Sequence, residues 1–289
     1  MREHIGSRIF NAANMAFLAL VAAVTLFPIY YVVVVSFTDP IEYLQRKLVL
    51  FPAKWSLSSY EYLLNNGSFM RSIGNSLFLA TVGTACSLTV TAALAYAISR
   101  KRLAGRRMFL FLILFTILFN PGIIPNYLVV KEAGLLNSLW SLIIPSLSSG
   151  WFVILMKSFF DNIPDALEEA ATIDGCNDLA IFARIILPLS LPAIAAFGLF
   201  YAVMYWNMYF NALLYLNDYE KWPIQLVLQN IISDSAAGML MEDRLTQQPP
   251  PSEMLKMAAV VIAVAPILCV YPLLQKHFAK GVMVGSVKG

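Results

Sequence analysis

Six long stretches of this sequence carry no Asp, Glu, Lys or Arg: about 15–37, 72–99, 108–130, 138–156, 188–215 and 257–275. A helix needs roughly 20 apolar residues to cross the hydrocarbon core of a bilayer. Inside that core each backbone N–H and C=O must find its partner within the protein, which an α-helix does alone. Each stretch therefore reads as a transmembrane helix. Composition agrees: 59% of the 289 residues are hydrophobic, and mean hydropathy is +0.70. A soluble domain that apolar would expose patches it could not cover. The expected fold is an all-α polytopic membrane protein, with 1–289 forming a single transmembrane domain. The first stretch is too long for the apolar core of a signal peptide, and no small-residue cleavage site follows it, so it is expected to stay.

The segments differ in character. Asp39-Pro40 ends the first, and the loop to residue 71 carries Trp55, Tyr60 and Tyr62, residue types that favour the membrane interface. The second is rich in Gly74, Ala80, Gly83, Ala85, Ala92, Ala93 and Ala95, which let membrane helices approach closely. The third contains Asn120-Pro121-Gly122 and Pro125-Asn126 and should bend or break, because proline removes a helix donor. The fourth contains Pro145 and Gly150. A polar loop, 216–255, separates the fifth from the sixth.

Six crossings put both termini on one side. That side, with the loop 100–107 and the segment 157–187, holds twelve of the twenty Lys and Arg, concentrated in short connections. The positive-inside rule then makes it cytoplasmic. Arg100-Lys101-Arg102 and Arg106-Arg107 read by the same rule as a short cytoplasmic loop rather than a nucleic-acid site, since net charge is only +3.

Several chemistries find no residues here. His4 and His277 lie near opposite ends, and Cys86, Cys176 and Cys269 lack metal-ligand spacing. Neither His-Glu-x-x-His nor Gly-x-Ser-x-Gly occurs. Glu168 and Glu169 are adjacent, so a helix points them about 100° apart, a poor start for a paired-carboxylate site. No phosphate-cradling Gly-x-x-x-x-Gly-Lys loop is present, so ATP would have to act through another chain. Proton relays usually need ionisable residues within the membrane. A sodium-coupled carrier using backbone oxygens stays open.

The polar island at 157–187 has its own local logic. Asp161-Asn162-Ile163-Pro164-Asp165 supplies a cap, a first-turn proline and an acid for the positive helix end. Ala166, Leu167, Ala170, Ala171 and Ile173 fall at helical spacing and predict one apolar face. Asp174-Gly175 reads as a stop. A second helix can start at Asn177 with Ile181, Phe182 and Ile185 on one side, and Pro188 opens the next apolar segment.

Within this island, Glu169-Ala170-Ala171, then Gly175, Ile185 and Leu187-Pro188 resemble without a gap the signature of the permease subunits of bacterial ABC importers. The resemblance implies that the knob is a coupling helix docking into a separate ATPase subunit. It implies ATPase-coupling roles for Glu169, Ala170, Ala171, Asp174, Gly175, Leu187 and Pro188, and no catalytic residue on this chain. ATP and Mg would sit on partner ATPase subunits. The implied partners are two such ATPases, a second related permease, and an extracytoplasmic solute-binding protein. The implied location is the bacterial inner membrane.

Further stretches resemble the carbohydrate branch of that family, the maltose-transporter type: Tyr205-Trp206-Asn207-Met208-Tyr209-Phe210-Asn211-Ala212, Trp222-Pro223-Ile224-Gln225-Leu226, and the tail from Lys280 to Gly289. Met208 departs from the pattern where a polar residue is usual. Sugar faces stack on aromatic rings and sugar hydroxyls pair with amides. Asn120, Asn126, Tyr127, Tyr205, Trp206, Asn207, Tyr209 and Asn211 are therefore the pathway candidates, against the ordinary alternative of interfacial belts and helix contacts. If 205–211 is helical, Asn207 and Asn211 share a face toward the pathway or the partner permease. The cargo this implies is an oligosaccharide. The same machinery moving an amino acid, phosphate or polyamine, or a self-contained secondary carrier, are the alternatives.

Overall fold

The structure, a computed structural model, describes the backbone of residues 5–46, 48–233 and 249–285 and the side chains of 9–46, 48–233 and 249–270. The described residues are helices and their connections, with one isolated bridge between Thr38 and Trp55. They fall in two compact units, Met1–Met70 with Asn230–Ala265, and Arg71–Gln229 with Pro266–Gly289.

The first unit begins with α1 (Ile5–Ser36), apolar all round, so that nearly every large side chain from Ile9 to Val33 is exposed. Such a surface suits lipid as solvent. Asp39 caps α2 (Pro40–Gln45) by accepting from the amides of Ile41 and Glu42 at 2.9 and 3.3 Å, and Pro40 occupies the first turn. The Glu42 carboxylate accepts from the amides of Ala53 and Lys54 at 2.9–3.0 Å and pins the following loop. In α3 (Ser58–Leu64) Tyr62 is buried, while Tyr60 stacks on Phe37 at 4.7 Å with its hydroxyl 2.7 Å from that of Ser36. Trp55 alone of the three interface candidates is largely exposed.

The core of the second unit is α4 (Gly67–Ser99) packed on α8 (Gly150–Asp161) and α11 (Leu191–Trp206). The buried stripe of α4 is Ser72, Ser76, Leu79, Gly83, Ser87, Thr91, Ala95 and Ile98, spaced by three and four. Small side chains along one stripe let backbones approach. Gly83 shows how tightly: a β-carbon there would lie 2.8 Å from the ring of Tyr205. A π-helical turn at Leu79–Gly83 accompanies that approach. The sequence expectation rested on Gly and Ala, but half the stripe is Ser and Thr.

Three of the apolar segments are not straight. Helices α5 (Arg106–Leu118) and α6 (Ile123–Glu132) meet at 118°, α7 (Trp140–Ser146) and α8 at 52°, and α10 (Asp178–Leu189) and α11 at 83°. Among the described residues, three helices are long and apolar enough to cross a membrane, and each bent pair can supply one more. The first break falls on Asn120-Pro121-Gly122, where Gly122 takes a φ of +86° and donates its amide to the Asn120 side chain at 3.0 Å. The last bend concerns Pro188, which was expected to open the fifth segment. Pro188 lies inside α10, and the bend comes two residues later at Ser190, because Pro192 lacks the N–H that would continue the helix.

Hydroxyls repair the α7–α8 break. Tyr201 and Tyr205, one turn apart on α11, meet Thr91 at 2.6 Å and Ser87 at 2.8 Å, one turn apart on α4. The same two hydroxyls reach the broken segment: Ser149 donates its amide to Tyr201, and Tyr205 donates to the carbonyl of Ile143, both at 3.4 Å. Broken backbone in a membrane helix is tolerated where it is buried in protein and neighbouring groups re-satisfy it, as these hydroxyls do.

α9 (Asp165–Ile173) lies in the knob, α12 (Phe210–Tyr215) and α13 (Ile224–Ile232) follow α11, and α14 (Ser252–Gly285) is the last described element.

Candidate functional site

The knob consists of α9, a turn and α10. Asp174 is the C-cap of α9, and Gly175 follows at φ +83°. Gly175 donates its amide to Thr172 and Cys176 donates to Ala171, at 3.1 and 2.9 Å. This pair of bonds is the Schellman motif, which needs a left-handed residue at the glycine position. A β-carbon at Gly175 would meet nothing within 4 Å, so the glycine is required by its backbone angle rather than by space. Asn177 starts α10 by accepting from the amide of Ala180 at 2.8 Å. Ile181 and Ile186 are buried against Tyr96, Ile98, Met156 and Phe160.

One local expectation is corrected. Asp161 and Asn162 do not cap α9: Asp161 ends α8, and the Asn162 amide donates back to the carbonyl of Ser158 at 2.9 Å, leaving Pro164 as the cap. The apolar residues of α9 are turned mostly outward. Only Ala171 turns inward, while Leu167 is 43% and Ile173 86% exposed. Leu179 of α10 is 73% exposed as well. The knob thus presents Leu167, Ile173 and Leu179 together with Glu169, Ala170, Asp174, Gly175 and Pro188 to the exterior; Leu187 is half-buried. Glu169 makes no ion pair among the described residues.

The loop after α4 does more than carry charge. Arg100 pairs with Glu168 of α9, Lys101 with Asp165 of α9 at 2.9 Å, and Arg102 with Asp178 of α10. The first pair is shielded, its side chains 11% and 14% exposed, and the other two are open to solvent. Lys101, by hydrogen bond and by charge, holds the Asp165 carboxyl below the usual range. The Arg100 guanidinium lies 4.9 Å over the ring of Tyr96, which stacks on Phe182 of α10, also at 4.9 Å. The sequence signal for this was a basic run beside an acid-rich helix, and charge-counting alone could not pair them.

The aromatic-amide stretch is not one helix. α11 ends at Trp206, residues 207–209 break it, and α12 begins at Phe210. Asn207 is the C-cap of α11, exposed, with its amide donating to the Val203 carbonyl at 2.9 Å and its oxygen accepting from Gln225 at 3.2 Å. Gln225 was absent from the sequence-based site. Asn211 is half-buried on α12, and Asn207 and Asn211 do not share a helical face. Tyr205 is wholly buried. Trp206 lines an apolar groove of about 220 Å³ with Leu77, Thr81, Val203 and Ile267. Tyr127, Tyr205 and Tyr209 join one apolar cluster, where Tyr127 faces Tyr215 at 6.3 Å. Asn120 and Asn126 are exposed, outside that cluster. The loop after α12 is tied to α4: Asn75 donates to the carbonyls of Glu220 and Trp222 at 2.8 and 3.1 Å, Ser76 accepts from the amide of Ile224 at 2.8 Å, and Arg71 pairs with Glu220. In the tail that resembles sugar permeases, residues 286–289 lie outside the described residues.

Residues 87–284 match the family described as binding-protein-dependent transport system inner membrane component. The chain belongs to this family. It is therefore a non-enzymatic permease subunit of an ABC importer, an inner-membrane protein whose ATPase is a separate chain. Among its relatives is the polygalacturonan/rhamnogalacturonan transport system permease protein YtcP of Bacillus subtilis, 47% identical and covering 98% of this chain and 99% of that protein. The trehalose/maltose permease protein MalG of Thermococcus litoralis is 28% identical over the full length of both. Among solved structures, a bacterial ABC transporter involved in the import of the acidic polysaccharide alginate superposes with a TM-score of 0.87 at 34% identity, covering 96% of this chain and 99% of that one.

Proposed function

We propose that this permease imports an acidic oligosaccharide, a chain rich in uronate sugars. The observation that carries the reading is end-to-end identity of 47% to a permease for polygalacturonan and rhamnogalacturonan, supported by the likeness to an alginate importer. The residues present are compatible with it. Asn207 and Gln225 offer amide N–H donors, which serve hydroxyls and carboxylates alike.

In this reading the chain spans the membrane six times as one permease domain, with both termini and the knob in the cytoplasm. The knob docks on one of two ATPase subunits, which hold ATP and Mg; a second permease completes the pathway, and a solute-binding protein delivers the cargo. The exposed Leu167, Ile173 and Leu179 beside Glu169, which makes no ion pair among the described residues, suit a docking face, since exposed apolar side chains grouped with charge mark interaction surfaces. The test is ATP hydrolysis by the assembled transporter in liposomes, with its binding protein and a series of oligosaccharides. Oligogalacturonides should stimulate hydrolysis and malto-oligosaccharides of equal length should not. Stimulation by the neutral series alone would overturn the acidic assignment while leaving an oligosaccharide importer.

A further inference from the structure

The three consecutive cations after α4 reach acids on both sides of the Gly175 turn: Arg100 and Lys101 hold α9 through Glu168 and Asp165, and Arg102 holds α10 through Asp178. One short loop thereby sets the angle between the two helices of the knob. The loop is itself anchored, because Arg106 donates from Nε to the Ile98 carbonyl at 2.8 Å and Arg100 donates to the Ser99 hydroxyl at 2.9 Å, both at the end of α4. The apolar contacts beneath follow the same route, from Tyr96 of α4 to Phe182 of α10.

The other end of α4 is also tied. From Arg71 to Ser99 this helix runs about 40 Å at 1.5 Å per residue. At its far end Arg71, Asn75 and Ser76 bind the loop 220–224, which leads directly to Gln225, the partner of Asn207. α4 is thus tied by ion pairs to the knob at one end, and by an ion pair and hydrogen bonds to the loop 220–224 at the other.

Resting on the coupling reading given above, we infer that Arg100, Lys101 and Arg102 are positioning residues that clamp the knob to α4, so that movement of the knob is passed along α4 to the loop at 220–225. Without the clamp the knob still carries its docking face, but its motion is spent in the Gly175 turn and does not reach the pathway. Two of the three pairs are open to solvent and worth little individually. Their importance lies in joining three elements at once, which makes charge complementarity at each pair the quantity to test.

The experiment uses the complete transporter in liposomes and reads cargo taken up per ATP hydrolysed, together with copurification of the ATPase. The solvent-open pairs are chosen because reversing them does not bury an unpaired charge. Lys101→Glu, Asp165→Lys, Arg102→Glu and Asp178→Arg are each expected to lower uptake per ATP by about fivefold or more. The doubles Lys101→Glu/Asp165→Lys and Arg102→Glu/Asp178→Arg should return to within about twofold of the wild type. A purely structural role would lower yield or stability without separating uptake from hydrolysis. Single reversals that leave the ratio unchanged, or doubles no better than the singles, overturn the clamp while ATPase copurification is intact. A wild-type chain that fails to hold the ATPase overturns the coupling reading, and the clamp with it.

Discussion

Gly175 and Glu169 sit close together on the knob and act for different reasons. Gly175 is in a left-handed turn, where a β-carbon costs about 1–2 kcal/mol even in open space. Gly175→Asp should leave the subunit in the membrane, since nothing crowds the position, but bend the turn and add a negative charge to the docking face. Glu169→Lys reverses the charge of an exposed group. Both variants are expected to lose cargo-stimulated ATP hydrolysis and uptake while inserting normally, measured by membrane fractionation alongside transport. Glu42 is a residue with a structural duty. The amides of Ala53 and Lys54 hold its carboxyl below the ordinary range, with help from Arg46. A carboxylate whose folded pKa is lowered stabilises the fold above its unfolded value and loses that contribution as pH falls through the folded one. Hydrogen exchange at Ala53 and Lys54, corrected for the intrinsic rate, should therefore accelerate as the medium is acidified below about pH 4. Glu42→Gln should show the faster exchange already at neutral pH.

At the scale of elements, the α4–α11 seam decides how the second unit packs. Ser87 and Thr91 bond the hydroxyls of Tyr205 and Tyr201, and Gly83 gives the Tyr205 ring its place. Gly83→Ala would force that ring away from Ser87 and from the Ile143 carbonyl. Overpacking of this kind costs about 1–3 kcal/mol, so the detergent melting temperature should fall and purified yield with it. Tyr205→Phe, which keeps the ring and removes the hydroxyl, should cost about 1 kcal/mol, and combining it with Gly83→Ala should be non-additive because both act on one contact. An unchanged melting temperature in Gly83→Ala would show that the helices can part without penalty. The broken helices belong to the same scale. The break at 119–122 was legible from Asn120-Pro121-Gly122, whereas those at 147–149 and Ser190 were not foreseen; at the last, Pro192 rather than Pro188 removes the donor that matters.

For the molecule as a whole, the six-crossing arrangement makes a claim about sides. In a background free of Cys86, Cys176 and Cys269, cysteines placed singly at Asp174 and at Tyr219, both exposed, should label from opposite faces of the membrane with an impermeant reagent. Labelling of both from one face would refute the arrangement. The charge distribution supports the cytoplasmic side for Asp174, since the basic clusters lie in the short loops around it. The basic loop 100–107 also supplies the cations that reach the knob.

Much of this protein was determined by the sequence alone, because the properties concerned are short-range. Charge-free length specifies helices in a bilayer; Asp174-Gly175 specifies a Schellman stop; Asn177 specifies a cap; and Glu169-Ala170-Ala171 to Leu187-Pro188 was enough to point to the family. What only the tertiary structure decided joins residues distant in the chain. Lys101 meets Asp165 across 64 positions and Arg102 meets Asp178 across 76. The pairing of Asn207 with Gln225 and the burial of Tyr205 against Gly83 are of the same kind. The shared face of Asn207 and Asn211 was conditional on 205–211 being helical, and the helix ends at Trp206, where Asn207 turns out of it and Met208 turns into the apolar cluster. Local propensity cannot foresee such a break, because it is set by which side chains the neighbouring helices bury.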